Sequence, residues 1–155
     1  MSRVLETLSS LGIELPQAPK PVASYVPAVR CGDLLFISGQ VPFVEGELAF
    51  SGPVPSKISP DQAQEAARIC AINALAVAHE TLELGLDQIE RVVRLGVFVL
   101  SDPGFGGQPQ VANGASDLMV EIFGEAGRHA RAAVGSVGLP LSATVEIEMV
   151  LQIRS

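Results

Sequence analysis

The 155-residue chain lacks tryptophan, has one tyrosine, and contains only two cysteines, Cys31 and Cys70. The cysteines form no Cys-x-x-Cys pair, which argues against a disulfide framework and against a zinc knuckle. Lysine is also scarce, because only Lys20 and Lys57 contribute to the ten basic residues, which face 17 acidic ones. With a net charge of −7 and no run of Lys and Arg, the chain lacks the basic patch on which nucleic-acid affinity depends.

Long apolar runs are missing as well. The longest mostly apolar window, residues 69–78, has half the length of a membrane span and contains Asn73. The N-terminal residues 1–6 lack the unbroken apolar stretch of a signal peptide. We therefore expect a cytoplasmic protein without a membrane partner.

What the chain does have is a high hydrophobic share, 48%, combined with only 17% charged residues. This balance excludes a disordered chain, and the length fits one domain with a substantial core. A lone soluble domain usually carries about 25% charged residues. The shortage predicts that some folded surface is hidden, as it would be in a homo-oligomer.

Hydrophobic periodicity and turn residues divide the chain into a lead-in, residues 1–21, and one domain, residues 22–155. The lead-in holds a short candidate helix over 3–11 and a Pro-rich stretch over 16–21. In the domain, strands are predicted over 25–30, 34–39, 92–100, 129–137 and 144–153, and helices over 59–85 and 111–123, with a loop over 44–58. The order β-β-α-β-α-β-β predicts a two-layer α+β domain with both helices on one face of a mixed sheet.

Two of these elements have specific local signals. Ser59-Pro60-Asp61-Gln62 supplies an N-cap, a proline at the first helical position and a capping-box glutamine. The last strand alternates between apolar residues at 145, 147, 149, 151 and 153 and mostly polar ones between them. One face of that strand should therefore be buried and the other open.

The residues that could carry chemistry lie near the C-terminus. His129 and Arg131 are two apart on a predicted strand, so their side chains should leave the same face. If the last two strands form a hairpin that turns near Pro140, Arg131 faces Glu146 or Glu148, and the group could hold a small carboxylate and a water. The alternative is a cross-strand ion pair, which is the commoner outcome for such spacing.

Other interpretations stay open for single residues. His129 can equally be a packed or solvated residue, and Tyr25 a core or interface aromatic. His79 and His129 stand far apart in sequence with no acidic partner at ligand spacing, so no metal site is predicted. No phosphate loop, dinucleotide fingerprint or nucleophile elbow is present.

Three segments resemble the RidA (YjgF) family of enamine/imine deaminases, some members of which have been called endoribonucleases. Tyr25-Val-Pro-Ala-Val with Leu35-Phe-Ile-Ser-Gly-Gln-Val-Pro resembles the opening hairpin and its SGQ-x-P signature. Ala130-Arg-Ala-Ala-Val followed by Gly138-Leu-Pro resembles the A-R-x-x-V…L-P strand and turn. Val145-Glu-Ile-Glu resembles the closing strand. The resemblance covers residues 22–154.

The resemblance implies a chorismate-mutase-like fold, a homotrimer, and substrate clefts between subunits. It places the carboxylate-clamping arginine at Arg131 and the water-activating glutamate at Glu146. The implied reaction is hydrolysis of a 2-imino or enamine acid, such as 2-aminoacrylate, to a 2-keto acid and ammonium, without a metal or an organic cofactor. The residues implied to line the cleft are Tyr25, Ser38, Gly39, Asn113, Ser116, His129 and Ala133.

The chain departs from the family pattern at several of these positions. Ala133 stands where the family usually has cysteine, and His129 stands where proline commonly precedes the Ala-Arg pair. Asn113 and Ser116 are both candidates for the position of the family's cleft asparagine. Two alternatives to the deaminase therefore remain: a non-catalytic protein that binds a small carboxylate in the same cleft and, less favoured by the charge, an endoribonuclease.

Overall fold

The computed structural model describes residues 2–20 and 23–155, which fold into helices packed on a mixed five-stranded sheet. The helices and strands, in chain order, are α1 (Arg3–Ser10), β1 (Ala28–Cys31), β2 (Leu34–Gln40), β3 (Phe43–Val44), β4 (Glu47–Leu48), α2 (Pro60–Thr81), β5 (Ile89–Leu100), α3 (Gln108–Phe123), β6 (Ala130–Ser136) and β7 (Val145–Ile153). The main sheet has the order β1-β2-β7-β5-β6. Strands β5 and β6 are parallel, and all other neighbours are antiparallel.

The predicted order β-β-α-β-α-β-β and the two-layer α+β class are confirmed. The structure adds a two-stranded ribbon, β3 with β4, where a loop was predicted over 44–58. Its tight turn lies at Glu45 and Gly46, both of which have positive φ. The predicted boundary between lead-in and domain, at residues 21 and 22, lies outside the described residues.

The capping box predicted for α2 is present. The Ser59 hydroxyl accepts a hydrogen bond from the backbone N–H of Gln62 (3.1 Å), and the Gln62 side chain accepts one from the N–H of Ser59 (3.0 Å). The helix ends at Thr81 rather than at the predicted stop, Gly85, which instead takes a positive φ in the following turn. Alanines occupy much of the buried face of α2, so this helix lies close to the sheet.

Strand β7 provides the centre of the core. Its odd-numbered residues, from Val145 to Ile153, are buried under the helices, and the residues between them are half-exposed on the other face, as the alternation predicted. The described residues leave that second face, here called the open face, partly exposed. Its exposed apolar side chains include Val29, Phe36 and Val134, and Phe36 lies between Val29 and the half-buried Val150.

The predicted hairpin between the last two strands is wrong. Strand β7 pairs with β5 and β2, whereas β6 pairs only with β5, so β5 separates the two strands. The helical connection α3 makes β6 a parallel neighbour of β5, and the chain then crosses to the opposite side of β5 before it forms β7. Arg131 is therefore paired with Leu95 and does not lie opposite Glu146 or Glu148.

The ion pair that the sequence favoured does form, but with a different arginine. Gly96 of β5 lies opposite Glu148, and two residues earlier Arg94 donates from Nη1 to Oε1 of Glu148 at 2.9 Å. Both side chains are close to half exposed on the open face. Because solvent screens such a pair, it contributes little to the stability of the isolated chain.

The close contact between α2 and α3 generates a stability prediction. A Cβ atom at Gly114 would lie 1.9 Å from the carbonyl oxygen of Gln64, which is backbone and cannot move away without shifting α2. We expect Gly114→Ala to destabilise the fold by about 1–3 kcal/mol and to lower the melting temperature by several degrees. Thermal unfolding followed by circular dichroism measures the change.

The control for this variant is Gly106→Ala. A Cβ at Gly106 meets nothing within 4 Å, and this residue does not have positive φ. Its melting temperature should stay near that of wild type. Equal melting temperatures for both variants would show that the two helices are not packed this closely in solution.

Candidate active site

The residues implied by the family motifs lie in two groups, on opposite faces of the sheet. Arg131 is paired with Leu95, whose side chain is buried on the helix-covered face. Glu146 is paired with Phe98, three residues further along β5 and therefore on the open face. Within one chain, Arg131 and Glu146 cannot contact the same small molecule from the same side.

The first group surrounds Arg131 at the sheet edge. Its Nη1 donates to Oδ1 of Asn113 at 2.8 Å and to the hydroxyl of Ser116 at 3.1 Å, both on α3. Both candidates for the cleft asparagine position therefore contact the arginine. The Nε and Nη2 atoms of Arg131 make no hydrogen bond to the described residues, and the side chain is exposed.

His129 and Ala133 belong to the same group. The Nε2 atom of His129 lies 2.9 Å from the Ser116 hydroxyl, and its Nδ1 lies 2.7 Å from the carbonyl oxygen of Gly127. Ala133 points to the same side of β6 as Arg131 and packs against the edge of the core. Together with the contacts of Arg131, these bonds form a continuous network from α3 to the start of β6.

The second group lies around Glu146 at a cavity of about 530 Å³. The residues that line it are Pro19, Lys20, Tyr25, Pro27, Gly39, Gln40, Val41, Phe43, Pro140, Leu141 and Glu146. Tyr25 is 53% exposed at its mouth. A largely apolar concave surface with a few polar groups is the usual character of a small-molecule site.

Gly39 and Ser38 shape this cavity in different ways. A Cβ at Gly39 would lie 2.1 Å from Oε1 of Glu146, so glycine leaves the space that the carboxylate occupies. Ser38 is absent from the lining. Its hydroxyl donates to the carbonyl oxygen of Val26 at 2.7 Å, which fixes the segment that carries Tyr25.

Burial affects the acid–base properties of this group. Desolvation, followed by the nearby charge of Glu148, raises the pKa of Glu146 above its ordinary value. The Cys70 thiol is buried beneath, and burial together with the charge of Glu146 raises its pKa well above the usual range. Glu146 is therefore a stronger base than an exposed glutamate, whereas Cys70 stays a neutral thiol.

The N-terminal segment contributes to the Glu146 cavity, which its sequence did not indicate. Pro19 and Lys20 line the Glu146 cavity, and the segment is held by a hydrogen bond from the N–H of Ala18 to Oε1 of Glu80 (2.8 Å). Ile13 and Leu15 also pack against the core. The alternation of Ile13 and Leu15 around Glu14 is a sequence signal that could have indicated packing, but the prolines that follow at 16 and 19 obscure it.

The described residues contain no group of three or more His, Cys, Asp or Glu side chains arranged to hold a metal ion. Among the helices that the structure describes, none combines the length and the apolar character needed to cross a membrane.

Comparison with known proteins agrees with this fold. Residues 5–152 match the family described as "YjgF/chorismate_mutase-like, putative endoribonuclease". Protein TCP17 of Trypanosoma cruzi is 42% identical over 154 residues, covering 99% of this chain and 96% of that protein. The 2-iminobutanoate/2-iminopropanoate deaminase of Dermatophagoides farinae is 31% identical over 143 residues, covering 92% of this chain and 95% of that protein.

A solved structure is similar to this chain in both fold and sequence. The crystal structure of Atu1372 from Agrobacterium tumefaciens, a protein of unknown function, superimposes with a TM-score of 0.92 at 43% identity and covers 98% of this chain and 93% of that one. The architecture is the chorismate-mutase-like α+β fold. The chain belongs to the YjgF/RidA family, as its motifs indicated.

The raised pKa of Glu146 gives a prediction with a defined sign. Between the ordinary and the raised pKa, the folded state binds more protons than the unfolded state, so the ionised carboxylate disfavours folding at neutral pH. In the unassembled chain, where Glu148 is the charge that acts on this carboxyl, Glu146→Gln should therefore raise the melting temperature at pH 7. The gain should disappear as the pH falls below the ordinary glutamate pKa, where both states are protonated.

Thermal unfolding between pH 4 and pH 8 tests this, with the exposed Glu83 changed to Gln as the matched control. A lower melting temperature for Glu146→Gln at pH 7 would contradict the prediction. It would show that a cation faces Glu146 in the protein in solution.

Proposed function

We propose that the protein hydrolyses reactive 2-imino and enamine acids, such as 2-aminoacrylate, to 2-keto acids and ammonium. The observation that carries the proposal is the way in which hydrogen bonds hold the guanidinium group of Arg131 at the surface. Two acceptors on α3 hold its Nη1, and among residues 2–20 and 23–155 none accepts from its Nε or Nη2, which lie at the surface. Two parallel donors on a guanidinium match the two oxygens of a carboxylate.

The active site is proposed to lie between copies of the chain. Arg131 and Glu146 face opposite sides of one sheet, so a cleft that contains both needs a second copy. The open face with exposed Phe36 and Val134 gives a copy a surface to cover. A closed homotrimer, which the family resemblance implies, would satisfy both requirements.

The proposed reaction begins with the substrate carboxylate on Arg131. Glu146 of the neighbouring copy accepts a proton from a water molecule while the water oxygen attacks C2 of the imine. The proton passes to the nitrogen and gives the carbinolamine. Glu146 then takes the proton of the new hydroxyl and delivers it to the amine nitrogen as the C–N bond breaks, so ammonia leaves and C2 becomes the carbonyl of the 2-keto acid. An enamine first gains a proton at C3 and loses one from its nitrogen, which gives the imine. A glutamate with a raised pKa suits this proton transfer at neutral pH.

The name of one relative supports this choice, because the Dermatophagoides farinae protein is called a 2-iminobutanoate/2-iminopropanoate deaminase. The second candidate is a protein that binds a small carboxylate without turnover. The clamp geometry favours it equally, since Arg131 alone suffices for binding. Ribonuclease activity fits the net charge of −7 poorly, although the family description includes it.

Ammonia release from imines generated in situ tests the proposal. Wild type should accelerate it, Glu146→Gln should lose about 10²–10⁴-fold in kcat with little change in affinity, and Arg131→Ala should raise KM about 10–100-fold. The matched controls are Glu83→Gln and Arg68→Ala, which lie outside both groups. Binding of a 2-keto acid without any acceleration of ammonia release would favour the non-catalytic protein.

Mixing these two impaired variants, assayed at a substrate concentration well below KM, tests whether the site is shared between copies. In a mixed trimer, a cleft is intact only when its Arg131 comes from a Glu146→Gln chain and its Glu146 comes from an Arg131→Ala chain. Co-refolding Arg131→Ala with Glu146→Gln at equal amounts should therefore restore about a quarter of wild-type activity. No recovery in mixed oligomers would contradict a shared site.

A further inference from the structure

We propose that His129 is a positioning residue of the carboxylate clamp and that it acts on Arg131 through Ser116. The proposal rests on the proposed function, since it assigns a role within that site. It concerns the position at which this chain has histidine beside the arginine, and it adds a residue to the clamp that touches no substrate.

The hydrogen-bond partners fix the form of the neutral imidazole. The Gly127 carbonyl can only accept a hydrogen bond, so Nδ1 of His129, at 2.7 Å, must carry the proton. Its Nε2 then has a free electron pair and accepts from the hydroxyl of Ser116 at 2.9 Å. In the neutral ring, the Ser116 hydroxyl is therefore the donor and His129 the acceptor.

The direction of the bond between Ser116 and His129 determines whether the Ser116 oxygen can accept a hydrogen bond from Arg131. With its hydrogen committed to His129, the Ser116 oxygen presents its electron pairs to the arginine and accepts from Nη1 at 3.1 Å. Asn113 accepts from the same nitrogen at 2.8 Å. Both hydrogens of Nη1 are then occupied, so the guanidinium cannot rotate freely, and its Nε–Nη2 edge faces outward.

The Ser116 hydroxyl does not simply bond to the backbone of its own helix. A serine inside a helix commonly bonds the carbonyl of the preceding turn. No such bond is present among the described residues, and the hydroxyl is directed at His129 and Arg131 instead. The backbone oxygen of Gly127 takes the place that a carboxylate often has behind a positioning histidine, which holds the ring without adding a charge.

A double-mutant cycle on ligand affinity tests the inference. The probe is 2-oxobutanoate, measured by calorimetry, together with KM and kcat for imine hydrolysis. His129→Ala and Ser116→Ala should each weaken binding and raise KM by about 3–10-fold, with kcat changed less than KM. Because His129 acts through Ser116, the double variant should be no worse than Ser116→Ala.

Conservative replacement separates positioning from simple packing. Gln at position 129 can accept from Ser116 and donate to Gly127, so His129→Gln should recover most of the affinity that His129→Ala loses. His79→Gln, on α2 and outside this network, is the control and should leave affinity unchanged. Additive losses in the double variant, or wild-type affinity in His129→Ala, would overturn the inference.

A second measurement needs no ligand and separates this inference from the proposed function. The side-chain NMR signals of Arg131 should show restricted rotation of the guanidinium in wild type and faster rotation in His129→Ala and Ser116→Ala. The nitrogen signals of His129 should report the Nδ1–H form. If wild type shows both signatures yet neither binds nor hydrolyses the probes, the proposed function fails and the positioning network stands. An Nε2–H form overturns the network itself.

Discussion

The pairing of β7 with β2 on one side and β5 on the other determines the rest of the structure. It places the strand with the strictest apolar alternation at the centre, so that one row of its side chains fills the core and the other row lies on the open face. It also leaves β6 at the edge, where Arg131 reaches the side chains of α3. The separation of Arg131 from Glu146 follows directly from this strand order.

Much of the fold could be predicted from the sequence, because local signals determine local structure. The Ser59 capping box, the alternation of β7 and the order of the elements are all encoded in neighbouring residues. Which strands pair with each other is not encoded in this way. Alternation indicates which residues share a face but does not identify the neighbouring strand. The assumed hairpin therefore places Arg131 opposite Glu146 or Glu148, whereas the structure pairs Glu148 with Arg94.

In the candidate site, too, some features could be predicted from local sequence and others depend on how distant parts of the chain pack together. Family motifs predict Arg131 and Glu146 as site residues. They leave both Asn113 and Ser116 as candidates, because spacing along a helix does not reveal which side chain bends toward a neighbouring strand. Contact of both with one nitrogen is a property of the packed helix and strand. The hydrogen bond between His129 and Gly127 is made to a backbone carbonyl oxygen, so the pattern of side chains in the sequence does not predict it.

The N-terminal segment separates part of the Glu146 cavity from the residues that form the core. Pro19 and Lys20 form part of the wall of the Glu146 cavity, yet they belong to no strand or helix and lie beyond the anchoring bond between Ala18 and Glu80. Substitutions at these two positions change the shape and charge of the cavity without altering a core residue. Under the proposed function, this part of the ligand cavity can therefore change while the core beneath the sheet keeps its residues.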